Sequence, residues 1–358
     1  MLNINPLISY ADLELPFPMT RSLWEAKSAQ DWRDTYLSSL GPGPGSTERL
    51  PSLVDTLRDM SAWHLHGRID HHLSALVILH GLSALIGEYH RLKFIARGAS
   101  KHWNALVINS RQQELAQVLT HFRMLSHPLS STSSSNFSST STSDSTSSSS
   151  SKCQISLHHE VISMFLFMSL EDLQLFAGKE DKLEARRVYD SALEWINSTD
   201  SRRAIWHAGQ VLRAARCLQR SGAGAGVLTG FLAVGVYYAS LAFWSYGVVS
   251  RANDNINKPG VGIGLDMELG LGLGLEGNEG EEVVFLDGEE DGTVQRFVSL
   301  GRGRPALQPY QGGEAAVSDP GRVMDVARSL LVGDAPVESL PPLVQGLVQL
   351  MGDLGRAA

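Results

Sequence analysis

The sequence predicts an all-α protein, and three observations lead to that class. Apolar residues recur three or four positions apart along most of the 358-residue chain, as they do on the buried face of a helix. Strict alternation of apolar and polar residues, which marks a strand, does not continue anywhere long enough to predict a sheet. Stretches rich in Gly, Pro or Ser separate the helical runs. We therefore expect a single multi-helix domain with two disordered low-complexity insertions.

Residues 1–129 form the first predicted helical part. Ser28 is placed as the N-cap of a helix whose face carries Ala29, Trp32 and Tyr36 at helical spacing. Longer buried helices are predicted for 53–60, 73–89 and 103–125, because each carries one apolar stripe.

The first predicted insertion covers 130–152. Of the 22 residues from 130 to 151, 19 are Ser or Thr. Such a segment buries too little surface to offset the entropy cost of ordering it. We expect it to be disordered, either as a phosphorylation target or as an unselected expansion.

The central part, 153–252, contains the longest uncharged stretch of the chain, Ser221–Ser250. A buried helix is predicted at 227–249. Its 23 residues also match the roughly 17–25 that cross a bilayer, so a single membrane span is the alternative. Several tyrosines and serines in the stretch, and flanks without a positive-inside bias, favour burial inside the protein.

The second predicted disordered insertion, 253–282, is rich in Gly and acidic residues. Ten acidic residues and no Lys or Arg lie between Pro259 and Gln295, so this region contributes −10 to the net charge of −8 and the rest of the chain contributes +2. The rest of the chain is close to neutral and has no basic run, which excludes an obvious nucleic-acid surface.

The last predicted helical part is 283–358. It begins with a short extended piece at 283–288 and ends in two helices. The first covers 321–331, and the second follows two prolines. The second carries an apolar stripe that consists of Leu343, Leu347, Leu350 and Leu354.

The histidines are the first candidates for chemistry. His64, His66, His71 and His72 lie close to Asp70, but their spacing matches no standard metal site. We interpret them as solvated or capping residues. A helical enzyme that uses these histidines remains an alternative, which metal analysis would test.

Two further motifs come close to known signatures and fail. In HHEVIS, His159 is followed four residues later by Ser163, where the metalloprotease helix needs a second His. In GAGAG at 222–226 the glycine spacing is wrong for a dinucleotide-binding turn. Two cysteines are too few for a cysteine-rich zinc site. We therefore predict no catalytic, cofactor-binding or metal-binding residue, and no enzymatic activity.

Six stretches together, in this order, resemble one family of fungal regulators. The stretches are LPFPMTRSLWEAKSAQDWRDTYL (15–37), DHHLSALVILHGLSALIGEYHRLK (70–93), IWHAGQVLRAAR (205–216), VYYASLAFWSYG (236–247), VVFLDG…VQRFVSLGRGRPAL (283–307) and ESLPPLVQGLVQLMGDLG (338–355). They resemble the C-terminal portion of the fungal-specific transcription factor domain, also called the xylanolytic-activator type regulatory domain, found in fungal zinc-finger transcription factors.

The resemblance implies a nuclear, helical regulatory module that acts on transcription by RNA polymerase II. It implies the transcription machinery or co-regulator proteins as partners, leaves a homodimer open, and implies no membrane. In the family, zinc and DNA are bound by a separate N-terminal region. The chain contains no such zinc-finger motif and starts almost at the Pro-rich turn, so we expect either a fragment that lacks that region or a regulator without a DNA-binding module of its own.

Overall fold

The structure is a computed structural model that describes residues 14–39, 49–64, 66–98, 105–126, 144–221, 228–257, 282–310, 312–333 and 335–358. It confirms the all-α class, because helices make up most of the described residues and the strands form one small sheet. By its internal contacts, the chain divides into two compact units, Met1–Leu166 and Phe167–Ala358. The division falls inside the predicted central part, 153–252.

The first unit is built from seven helices in the described residues. They are α1 (Arg21–Trp24), α2 (Ala29–Ser39), α3 (Leu53–Arg58), α4 (Ser61–His64), α5 (His71–Gly98), α6 (Ala105–Ser126) and α7 (Asp144–Phe167), whose last residue begins the second unit. Ser28 caps α2 as predicted, because its Oγ accepts the Asp31 N–H at 3.0 Å. Ser52 and Asp55 form a capping box at the start of α3.

Helix α7 begins at Asp144, inside the segment 130–152 that was predicted to be disordered. The buried residues from Cys153 onward hold the helix in place, and each residue added before them gains a backbone hydrogen bond. Serines without an intervening proline do not stop this extension. The rest of the predicted insertion, up to residue 143, lies outside the described residues.

The second unit contains eight α-helices, a single 3₁₀ turn (Val337–Ser339) and three short strands in the described residues. The elements are α8 (Leu170–Phe176), α9 (Lys182–Arg187), α10 (Tyr189–Ile196), α11 (Thr199–Arg220), α12 (Gly230–Asn257), β1 (Val283–Phe285), α13 (Gly292–Leu300), β2 (Arg304–Leu307), β3 (Ala315–Ala316), α14 (Pro320–Val332) and α15 (Pro342–Ala357). The boundaries of α14 agree with the predicted helix at 321–331 to within one residue.

Helix α12 is the centre of the second unit, as the buried-helix prediction required. It packs against α8, α10, α11, α14 and α15. It begins three residues after the predicted start of 227–249 and continues to Asn257. Its last turns therefore occupy the first residues of the predicted insertion 253–282, of which 258–281 lie outside the described residues.

The small sheet was not predicted. Strand β1 pairs in parallel with β2, with Phe285 opposite Ala306, and α13 connects them. Strand β2 pairs antiparallel with β3, with Leu307 opposite Ala315. Strands of two to four residues are too short to show an alternating pattern in the sequence.

The buried stripe of α15 differs from the predicted one. The residues that face the core are Val344, Val348, Met351 and Leu354. Of the four predicted leucines, Leu354 alone is among them. Leu343 and Leu350 are exposed. The core face is rotated by about one residue, because α15 carries apolar residues on two adjacent faces and periodicity alone does not choose between them.

Candidate functional site

The histidine-rich segment of the first unit packs around two buried aromatic rings. Trp63 stacks on Phe122, with ring centroids 5.7 Å apart, and its indole lies 5.9 Å from the ring of His71. Phe122 in turn stacks on His159 at 6.0 Å. Asp70 does not join the histidines. It caps α5 by accepting the Leu73 N–H at 2.9 Å.

His159 and Glu160 form a buried polar pair on α7. The distance from His159 Nδ1 to Glu160 Oε1 is 3.1 Å, and each side chain is 6% exposed. His159 Nε2 lies 3.0 Å from the Leu119 carbonyl of α6. Each ring nitrogen of His159 therefore faces an oxygen atom, one from the Glu160 carboxylate and one from the Leu119 carbonyl. The pair ties α7 to α6 and has no exposed face for a substrate.

His158, next to this pair, is also used in packing. Its Nδ1 lies 2.8 Å from the Gln154 carbonyl, and its ring meets that of His80 at 6.1 Å. Burial lowers the pKa of His158 and of His80, and the two rings share the same surroundings. Burial also lowers the pKa of His71, and the neighbouring His64 adds to that shift. These rings are therefore neutral at neutral pH.

The other sequence candidates are not brought together. Ser163, at the position where a metalloprotease helix needs its second His, is buried between apolar residues of α7. His66 Nδ1 and His72 Nε2 have no hydrogen-bond partner in the described part of the chain. In that part, no group of three or more His, Cys, Asp or Glu is placed to hold a metal ion. The GAGAG segment at 222–226 lies outside the described residues.

The second unit has a polar junction that sequence reasoning missed. Arg216 Nη2 on α11 lies 2.6 Å from Asp287 Oδ2, and the Asp287 side chain is fully buried. The same carboxylate accepts the Gln308 N–H at 3.0 Å. Gln210 donates to the carbonyls of Leu286 and Gly288. Asp287 belongs to the acidic segment 259–295, and its role in the sheet could not be separated there from a solvated charge run.

One end of the α5–α6 pair carries an exposed apolar surface. Trp63 lies beside both the first residue of α5 and Phe122 near the end of α6, so the two helices run antiparallel. The last turns of α5 and the first turn of α6 therefore share the opposite end. We call this end the apolar tip, and it consists of Leu92, Phe94, Ile95, Leu106 and Val107, all exposed. Arg91 and Lys93 give it basic neighbours.

Comparison with known proteins finds a similarity in sequence. The chain is similar to a protein named "Transcription factor 1" from Elsinoe fawcettii, with 22% identity over 331 residues. These residues are 86% of this chain and 29% of that protein, so the chain spans less than a third of the length of this relative. No protein-family model and no solved structure matches the chain. The similarity supports a relationship to a fungal transcription factor.

Proposed function

We propose that the chain is the regulatory, non-DNA-contacting module of a fungal transcription factor of the xylanolytic-activator type. The observation that carries the proposal is the similarity to "Transcription factor 1" along 86% of the chain, in agreement with the six motifs that resemble this family. The module acts in the nucleus on transcription by RNA polymerase II. DNA contact and zinc belong to a zinc-finger region outside these 358 residues.

The geometry of the histidines is consistent with a non-enzymatic module. His158, His159 and Glu160 are buried and bonded to neighbouring groups of the chain, so they support the packing of α6 and α7. We propose that the chain works without a cofactor of its own and away from membranes.

The apolar tip is suited to a protein partner with apolar and acidic side chains. Phe94 is 68% exposed and Ile95 54% exposed, an unusual exposure for large apolar residues that are neighbours on one helix. Arg91 and Lys93 lie beside them. We propose that a co-regulator or a component of the transcription machinery binds here through a segment that combines apolar and acidic residues.

A tethering experiment tests the proposed function. The full chain is fused to a heterologous DNA-binding domain and measured with a reporter gene in a fungal host. We expect transcription to differ from that of the DNA-binding domain alone. Replacing Phe94 and Ile95 by Ser should reduce the difference, while Leu183→Ser, at an exposed leucine of α9, should not. A fusion that is expressed, nuclear and without effect in every condition would contradict the proposal.

A further inference from the structure

Helix α15 presents a second apolar stripe that the fold leaves uncovered. Leu343 is 51% exposed, Leu350 is 42% exposed, and Leu347 between them is half-buried. With the buried Leu354, these leucines repeat at intervals of four, three and four residues. That is the a/d spacing of helices that pair with each other. The core contacts of α15 use the neighbouring stripe, so three of the four leucines are available for another helix.

The three available leucines, Leu343, Leu347 and Leu350, have their midpoint between Gly346 and Leu347. Leu343 lies three residues before Gly346, and Leu350 lies three residues after Leu347. In an antiparallel pair centred between Gly346 and Leu347, Leu343 would therefore meet Leu350 of the other helix. A Cβ at Gly346 would touch nothing within 4 Å, so the backbone of an approaching helix has room there.

The charges of α15 favour a second copy of this chain as the occupant. From Pro342 to Gly352 the helix carries no charged residue. A two-fold interface places each residue near its own equivalent, so a charged face would repel itself, while this face does not. Antiparallel α-helices also bring opposite ends of their dipoles together. An uncharged leucine face offers a charged partner nothing to pair with.

We propose that the chain self-associates through an antiparallel pair of α15 helices centred at Gly346 and Leu347. The interface is one 16-residue helix from each copy, which is small for a stable dimer. We therefore expect weak, reversible dimers that form in the micromolar range. This association goes beyond the proposed function and stands independently of it, since the evidence is the surface of α15 alone.

Charge complementation at Gly346 tests the proposal. Sedimentation of the purified full chain is measured from about 1 to about 100 µM at low salt. The wild type should shift from monomer to dimer with concentration. Gly346→Glu and Gly346→Lys should each remain monomeric, because like charges meet across the two-fold axis. An equimolar mixture of the two variants should form dimers again, and salt should weaken them.

Gly87→Glu and Gly87→Lys are the matched controls, since Gly87 is also a helical glycine with nothing within 4 Å of a built Cβ. They should dimerise like the wild type. Circular dichroism verifies folding, and Leu350→Gln serves as a second variant if a Gly346 variant fails to fold. A wild type that is monomeric throughout, or a Glu–Lys mixture that behaves like its components, would overturn the proposal.

Discussion

Helices α5 and α12 carry nearly the same sequence signal and have different surroundings. Both are 28 residues long, and the segments long and apolar enough to cross a membrane have mean hydropathies of 1.2 in α5 and 1.4 in α12. Yet 44% of the α5 window is buried within the protein, against 78% of the α12 window. Hydropathy indicates how much apolar surface a helix carries, whereas the number of neighbouring helices determines how much of that surface is buried.

The two helices also differ in the polar groups that they carry and in how much of their surface is exposed. Helix α12 is packed on most sides, and its Ser240 donates within the helix to the Tyr237 carbonyl at 2.7 Å. Helix α5 carries four histidines and exposes Leu73, Val77 and the three residues that it contributes to the apolar tip, Leu92, Phe94 and Ile95. Burial in protein accounts for the apolar character of α12, and the membrane-span alternative gains no support from it.

The largest expected effect comes from placing a charge on each helix. Leu241 of α12 is completely buried, and Val77 of α5 is 41% exposed. Leu241→Asp should lower the free energy of unfolding by about 5 kcal/mol or more and unfold the second unit, because the carboxylate has no partner there. Gly235→Asp should do the same. Val77→Asp should cost about 1 kcal/mol or less. Urea titrations followed by circular dichroism measure both, and equal losses would contradict the comparison.

A smaller contrast comes from adding one methyl group to each helix. A Cβ at Gly247 of α12 would lie 2.3 Å from the Val317 carbonyl oxygen, and a Cβ at Gly87 of α5 would touch nothing within 4 Å. Gly247→Ala should therefore destabilise by about 1–3 kcal/mol, since the backbone must move. Gly87→Ala should stabilise by up to about 1 kcal/mol through helix propensity. Melting temperatures measure both, and a stabilising Gly247→Ala would show that the contact is not close.

These glycines also show what the sequence can and cannot predict. The helices α14 and α15 follow from their apolar residues, α12 follows from its long uncharged stretch, and the N-cap at Ser28 follows from residue type. Gly247 and Gly209, whose Cβ would lie 2.1 Å from the Leu286 carbonyl, make contacts with backbone far away in the chain. No local pattern encodes such a contact. The glycines singled out from the sequence, those of GAGAG at 222–226, were others.

The candidate site was predictable to the same limited degree. The failed spacing of HHEVIS and of the histidines near Asp70 predicted a structural role from sequence alone. The contact of His159 with the Leu119 carbonyl, 40 residues away, depends on how α6 and α7 pack. Arg216 was not among the candidate residues named from the sequence. Its partner Asp287 became visible only once β1 and β2 had formed.

The smallest expected difference between α5 and α12 is in how their stability depends on pH. The pKa values of His71, His80 and His158 are lowered by burial, so the unfolded chain binds protons more readily than the folded first unit. The part of the free energy of unfolding that depends on these neutral rings is fully present above the unfolded pKa of 6.5. It is lost as the pH falls below that value. In α12, burial raises the pKa values of Tyr237 and Tyr238 above 10.0. Hydrogen exchange, corrected for intrinsic rates, should therefore show α5 and α7 losing protection between about pH 7 and about pH 5.5 before α12 does. His80→Gln with His158→Asn should reduce that loss, and an equal loss of protection in α12 would show that the histidines are not its cause.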